Sequence, residues 1–315
     1  MINVIRPGSF TTIQDLGRWG YQAWGIPVSG AMDPYACRMA NLMAGNPEDA
    51  AVLEMSEEGG MFHFDESAFA AIGGADMQAE MDGRRLEPWS SFILPAGSVL
   101  RFGRAARGRR AYLAVQGGLV SEPVMGSRST YTAAAIGGFE GRALLIGDSL
   151  EIGNAQRLQR QPFELPAELQ PAYGKIWDFS VLLGPQAEYF CAAEQHRFFS
   201  SRYVVSDMAG RMDYELEGEA IHVSAHEAVS DASGWGAVEI SEGGHPFIVT
   251  PDHGTTRGFT KIGYIIQDDF YKIAQASPGD QVQFSEVSLD DAVRRLQDMQ
   301  RRMEALKEKL RCSSL

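Results

Sequence analysis

Residues 14–33, QDLGRWGYQAWGIPVSGAMD, place Gln14, Asp15, Arg18, Gln22 and Asp33 in a stretch with no helical or strand period. A carboxylate can move a proton, an amide can both give and take hydrogen bonds, and a guanidinium fork fits carboxylates and phosphates. A core element cannot look like this, because its polar atoms would have no partners. A disordered linker would not carry Leu16, Trp19, Tyr21, Trp24, Ile26 and Met32. What remains is an ordered loop of specified shape, the kind of segment that carries function.

Three other groups have chemical potential. Gly126-Ser127-Arg128-Ser129-Thr130, followed by Gly137-Gly138 and Arg142, offers serine hydroxyls, arginines and backbone amides suited to an anion nest. It is no Walker loop, having neither the Gly-Lys-Ser/Thr step nor a following helix. Two uses stay open for Arg18, Arg128 and Arg142: gripping an anionic ligand, or tying loop carbonyls and pairing with Asp15, Asp33 or Asp148. Asp252, Thr255, Thr256 and Lys261 crowd into one turn before a strand. There Lys261 can hold a carboxylate or phosphate and Asp252 can act as a base, or the turn can simply satisfy itself. His222 and His226 have metal-like spacing, but strand context and the lack of an acidic third ligand argue for no metal.

The elements that must position these groups are mostly short strands, at 69–72, 91–94, 99–102, 110–115, 143–146, 180–183, 202–205, 246–249, 261–266 and 281–284, bounded by turn residues. Helices are expected at 34–43, capped by Asp33, and at 268–276. A third opens with a Ser288/Asp291 capping box and carries a seam of Leu289, Val293, Leu296, Met299, Met303, Leu306 and Leu310. The proline-bearing stretch 154–173 reads as a linker. The expected class is therefore mainly β. It comprises an N-terminal β domain over 1–155, a second β domain, barrel or sandwich, over 172–287 and a C-terminal helix over 288–315.

The chain has 315 residues and a formal charge of −13. That balance argues against nucleic acid or an anionic membrane as partner, since phosphates need a basic footprint. No stretch has the apolar length of a membrane span, and Arg6 and Pro7 interrupt any leader-like run. Three widely spaced cysteines suggest no disulfide framework, so a cytoplasmic home is expected.

The motifs, taken in order, resemble the allophanate hydrolase subunit 2, or carboxyltransferase-domain, family. It includes the C-type subunit of 5-oxoprolinase, the antagonist of the Kip kinase inhibitor, and a domain of urea carboxylase. The resemblance rests on Pro7-Gly8, Thr12 to Arg18, Gly20-Tyr21-Gln22, Gly25-Ile26-Pro27, Ser29 to Asp33, Ala40-Asn41, Gly45-Asn46-Pro47 and Leu53-Glu54. It continues through Tyr112 to Val115, Gly117-Gly118, Gly126 to Thr130, Gly137 to Arg142 and Gly147-Asp148. In the C-terminal half Gly184-Pro185-Gln186, Arg211-Met212, Leu216-Glu217-Gly218, Asp252, Thr255-Thr256, Gly258-Phe259, Lys261-Ile262 and Pro278-Gly279-Asp280 fit. Four positions depart from the usual pattern: Asp213 and Arg257 stand where glycine is common, Glu215 where a basic residue is, and Glu239 where glutamine is.

The resemblance implies two β-barrel-like domains, the second cyclophilin-like. It implies one component of an ATP-dependent 5-oxoprolinase-type amidohydrolase complex that opens the lactam of 5-oxoproline to glutamate, or acts on a related amide. Partners would be a homologous subunit of the B type and a further one of the A type, with ATP used in the complex. Asp15, Arg18, Asp252 and Lys261 are then the expected catalytic residues. Gln14, Gln22, Ser127, Arg128, Ser129, Arg142, Arg211, Thr255 and Thr256 are expected to bind a small amide or carboxylate substrate. The Ala-Met-Lys-Met sequence that would carry biotin is absent, so no covalently attached biotin is expected on this chain. Two alternatives are a carboxyltransferase-like component using carboxybiotin from another chain on a urea-like compound, and a non-catalytic binding component that antagonises a kinase inhibitor. The four departures favour the last.

Overall fold

A computed structural model describes residues 1–153, 161–224 and 230–312, with the side chains of Arg311 and Cys312 left out. The chain divides into two compact units. One comprises Met1–Arg18, Ser29–Tyr173 and Glu304–Leu315; the other comprises Trp19–Val28 and Gly174–Met303.

The first unit is built on two sheets. A six-stranded sheet runs in the order Ser149–Leu150, Ile2–Arg6, Met61–Phe64, Val99–Arg101, Glu80–Met81, Arg84–Arg85. A five-stranded antiparallel sheet runs Phe10–Gln14, Val52–Ser56, Arg107–Val115, Ala68–Asp76, Ser90–Leu94. Ile13, Leu53, Ile72, Phe62, Phe64, Leu100 and Leu113 lie in one buried core. The helix α1 (Pro34–Ala44) starts as the sequence anticipates. Asp33 Oδ1 accepts from the Ala36 amide at 2.9 Å, Pro34 occupies the first turn, and Gly45 ends it. The helix approaches strand Ala68–Asp76 at Gly73, where a Cβ would sit 2.6 Å from the Ala36 carbonyl oxygen. Only glycine permits that approach.

The second unit is a closed seven-stranded barrel. Its order is Ile176–Leu183, Thr260–Ile265, Ala237–Ile240, Pro246–Val249, Asp213–Glu217, Tyr203–Val205, Gln281–Glu286, and a parallel pairing of Ile176 with Gln281 closes the ring. A separate two-stranded ribbon pairs Asp231–Ala232 with Thr256–Arg257. Helix α2 (Ala192–Ser200) was not expected; Cys191 at its start makes no side-chain cap bond, so the usual start signal is missing. A 3-10 turn at Gln267–Asp269 leads into α3 (Phe270–Gln275), within the expected 268–276. The last helix, α4 (Leu289–Cys312), carries the predicted cap: the Asp291 amide donates to Ser288 Oγ at 3.1 Å. Its seam is buried at Met303, Leu306 and Leu310 but exposed at Leu289 and Val293.

The strand expected at 143–146 does not form. Leu144 is buried and its amide bonds the Thr11 carbonyl, but the segment then turns through Ile146 and Gly147 without a ladder partner. An apolar run there marks one anchored side chain, not a strand.

Candidate functional site

In the first unit the sequence-predicted polar residues meet around Asp15. Its Oδ1 accepts from the Gly17 amide at 2.8 Å, from Ser127 Oγ at 2.6 Å and from Ser129 Oγ, while Oδ2 accepts from the Arg128 amide at 2.5 Å. The Asp15 amide in turn donates to Ser129 Oγ at 3.1 Å. The Asp15 carboxylate therefore ties two loops together across more than a hundred residues of sequence. Gln14 is buried and donates to Thr12 Oγ1 and to the Thr130 carbonyl. Arg18, also buried, donates from Nη2 to the Ser129 carbonyl. It lies beneath Gly137, where a Cβ would meet both that carbonyl oxygen and Nη2. The nest-like segment is thus formed around Asp15 and Arg18.

Arg128 is exposed and spends Nε on the Ser121 carbonyl at 3.0 Å. Arg142 spends all five donor hydrogens within its own turn. Two go to Asp148 (2.7 and 3.0 Å), two to Glu140 (2.8 and 3.1 Å) and one to the Ala143 carbonyl. The guanidinium also covers the Phe139 ring, 5.0 Å from its centroid. The turn Phe139–Arg142 is tight, with positive φ at both Glu140 and Gly141, the geometry of a type I′ turn. Hydrogen bonding to Arg142 holds the Asp148 carboxyl below its ordinary value.

Three of the motifs, at Met32-Asp33, Glu54 and Tyr112, meet in a buried network that their separation in sequence hides. Glu54 Oε2 accepts from the Met32 amide and from Tyr112 Oη, both at 2.8 Å, and Tyr112 Oη accepts from the Asp33 amide at 2.8 Å. Burial, with Glu54 and Asp33 nearby, pushes the Tyr112 hydroxyl well up. Burial and the carboxylates of Asp15, Glu54 and Asp33 do the same to the Cys37 thiol, which is an inert core group rather than a nucleophile.

The second unit gathers the remaining predicted residues. Arg211 and Asp252 form a bidentate pair, Nε to Oδ2 at 2.7 Å and Nη2 to Oδ1 at 3.0 Å. Lys261 is 3 % exposed at its side chain, whose polar contact among the described residues is with Asp231 Oδ2 at 3.4 Å. Its backbone amide donates to Gln186 Oε1, and Gln186 Nε2 reaches the same Asp231 oxygen at 3.2 Å. Thr255 offers its carbonyl to the Ser233 amide, and Thr256 lies exposed on the ribbon. His253 is buried, with Nδ1 2.8 Å from the Gly254 carbonyl oxygen, and burial lowers its pKa. Gln22 lies in a short turn of its own, accepting from the Gly20 amide at 3.2 Å.

Three of the four departures from the family pattern form one network here. Arg257 Nη1 meets Asp213 Oδ2 at 2.6 Å and Arg257 Nε meets Glu239 Oε2 at 3.1 Å. The guanidinium lies over Phe247 and Phe259 at 5.6 and 5.2 Å. Glu239 is fully buried and takes a 2.7 Å bond from Ser233 Oγ. Burial raises its pKa, against the opposing pull of Ser233, Arg257 and Lys261. The sequence flagged these residues as anomalies of charge; their spacing of 18 to 44 positions hides that they meet.

Among the described residues no group of three or more possible metal ligands occurs, and no helix is long and apolar enough to cross a membrane. Of the spaced histidines, His226 lies outside the described residues.

A mainly β chain with these motifs fits one family. The carboxyltransferase domain, subdomain A and B, matches residues 24–286, and the chain belongs to that family. It is 36 % identical to the C-type subunit of 5-oxoprolinase from Escherichia coli over 97 % of both chains. It is 31 % identical to urea amidolyase of Lachancea kluyveri over 94 % of this chain and 17 % of that one. The solved urea carboxylase of Kluyveromyces lactis shares the fold with a TM-score of 0.92 at 27 % identity, over 97 % of this chain and 29 % of that one.

Proposed function

We propose that this chain is one component of an ATP-dependent 5-oxoprolinase-type complex, opening a lactam such as 5-oxoproline. The observation that carries this reading is the match to the C-type subunit of 5-oxoprolinase, which extends over nearly the whole of both chains. The amide oxygen would be phosphorylated by ATP, and water would then attack the activated carbon. Backbone amides and cationic side chains would stabilise the developing oxyanion. Subunits of the A and B types would complete the site.

Asp15 and Arg18 would act by shaping the loop that carries the exposed Arg128, since their own polar groups bond within it. Lys261 would meet the amide oxygen; Arg211 and Asp252 would hold the turn that precedes its strand. The test is reconstitution: the chain co-purified with A- and B-type subunits should release glutamate from 5-oxoproline only with ATP, and the chain alone should show little or none. Robust turnover by the isolated chain, or an inert complex, would refute the reading.

A carboxyltransferase acting on a urea-like compound is the second reading, favoured by the TM-score of 0.92 to urea carboxylase. Carboxyl transfer from a biotinylated carrier chain to urea, absent with 5-oxoproline, would select it.

A further inference from the structure

Lys261 is a buried ammonium with three donor hydrogens and one acceptor at 3.4 Å among the described residues. A buried charge so poorly matched is costly unless something else meets it. Glu239 is its direct partner across the antiparallel strands Ala237–Ile240 and Thr260–Ile265. Opposed residues in such a pair lie on one face with Cβ atoms roughly 5 Å apart. A donor and an acceptor therefore stand side by side, both out of water.

The polar contacts of the pair converge on one element. Among the described residues, the polar contacts of both side chains come from the ribbon and the residue that follows its first strand: Asp231 to Lys261, Ser233 and Arg257 to Glu239. The Ser233 amide extends the ribbon by bonding Thr255, and Arg257 fastens it to the barrel at Asp213. Moving this one element would break the polar contacts of both side chains together.

We propose that Lys261 and Glu239 form a binding site for the cis-amide edge of a small lactam or urea-like compound, with the 231–233/256–257 ribbon as its cover. Lys261 donates to the amide oxygen and Glu239 accepts from the amide N–H on the same side of the ligand. A trans amide presents those two groups on opposite sides and can engage only one of them. This rests on the lactam reading above and names the residues that would recognise the ring. The departure of glutamine to Glu239 then serves the pair: a carboxylate is an unambiguous acceptor, and it balances the ammonium beside it.

The test needs neither ATP nor partner proteins. 2-Pyrrolidinone, cyclopentanone and N-methylacetamide are titrated into the full chain by ligand-observed NMR. The lactam is expected to bind at least tenfold more tightly than the ketone, which lacks the N–H, and than the trans amide. Equal affinities overturn the proposal without any variant. Lys261→Met should weaken lactam binding at least tenfold while the melt shows a folded chain. Arg257→Ala, which releases the latch, should strengthen it several-fold; unchanged affinity would show that the ribbon is no cover. Lactam binding in a chain whose complex fails to open 5-oxoproline would leave this site standing and refute the enzyme reading. Ring opening by a Lys261→Met complex at unchanged KM would do the reverse.

Discussion

The Asp15 loop and the Lys261–Glu239 pair use the same kinds of side chain to opposite ends. Around Asp15 the carboxylate accepts four hydrogen bonds, Arg18 is turned onto a carbonyl, and Arg142 has no donor left over. Around Lys261, among the described residues, a buried cation has one long polar contact, and its neighbouring carboxylate is held by Arg257 of the ribbon and by Ser233 just after its first strand. Matched polar groups make a rigid scaffold; under the proposal above, the poorly matched pair serves a ligand instead. The comparison teaches that a motif rich in arginine, serine and aspartate need not be the place where a ligand sits.

The largest effect expected is on the scaffold side. Asp15→Ala would strand two amides and two hydroxyls in a buried loop, and should cost about 3–5 kcal/mol in chemical denaturation. A loss below 1 kcal/mol would show that water replaces the carboxylate and would erase the contrast. Arg18→Lys keeps the charge but not the planar fork. It should cost about 1–2 kcal/mol, lowering the melting temperature by several degrees; an unchanged melt with lost ligand binding would move Arg18 to the functional side.

Arg142→Ala should cost about 1 kcal/mol at pH 7, since the pair with Asp148 is partly open to solvent. The pH dependence has a definite sign. The folded Asp148 pKa is depressed, so its contribution is present above the unfolded carboxyl value of about 4 and fades as pH falls through the folded value. The difference between wild type and Arg142→Ala should therefore shrink below pH 4; a gap that persists at pH 2 would assign it to packing on Phe139. The smallest stability effect is expected at Lys261→Met. Replacing the ammonium by an apolar chain of similar length leaves Asp231 open to water and Glu239 still paired with Arg257, so stability should shift by only about 0.5 kcal/mol or less. A loss of several kcal/mol would make Lys261 a scaffold residue like Asp15.

Much of this protein is determined locally. Asp33 and Pro34 start α1 and Gly45 stops it, Ser288 and Asp291 start α4, and the two barrel strands Pro246–Val249 and Thr260–Ile265 follow apolar runs bounded by turns. These features depend on neighbours within a few residues, so composition and spacing expose them, and the ordered run of motifs exposes the family. Ala237–Ile240, by contrast, has a charged residue in its middle and does not announce itself, yet that residue is Glu239. Whether Asp15 is a base or a tie depends on Ser127 and Ser129, more than a hundred positions away. Likewise, only strand pairing sets Glu239 beside Lys261, and only the ribbon brings Arg257 to both Asp213 and Glu239. A residue's type sets which bonds it is able to make. Its partners set which of those bonds are already made, and that balance, decided by long-range pairing, separates scaffold from site.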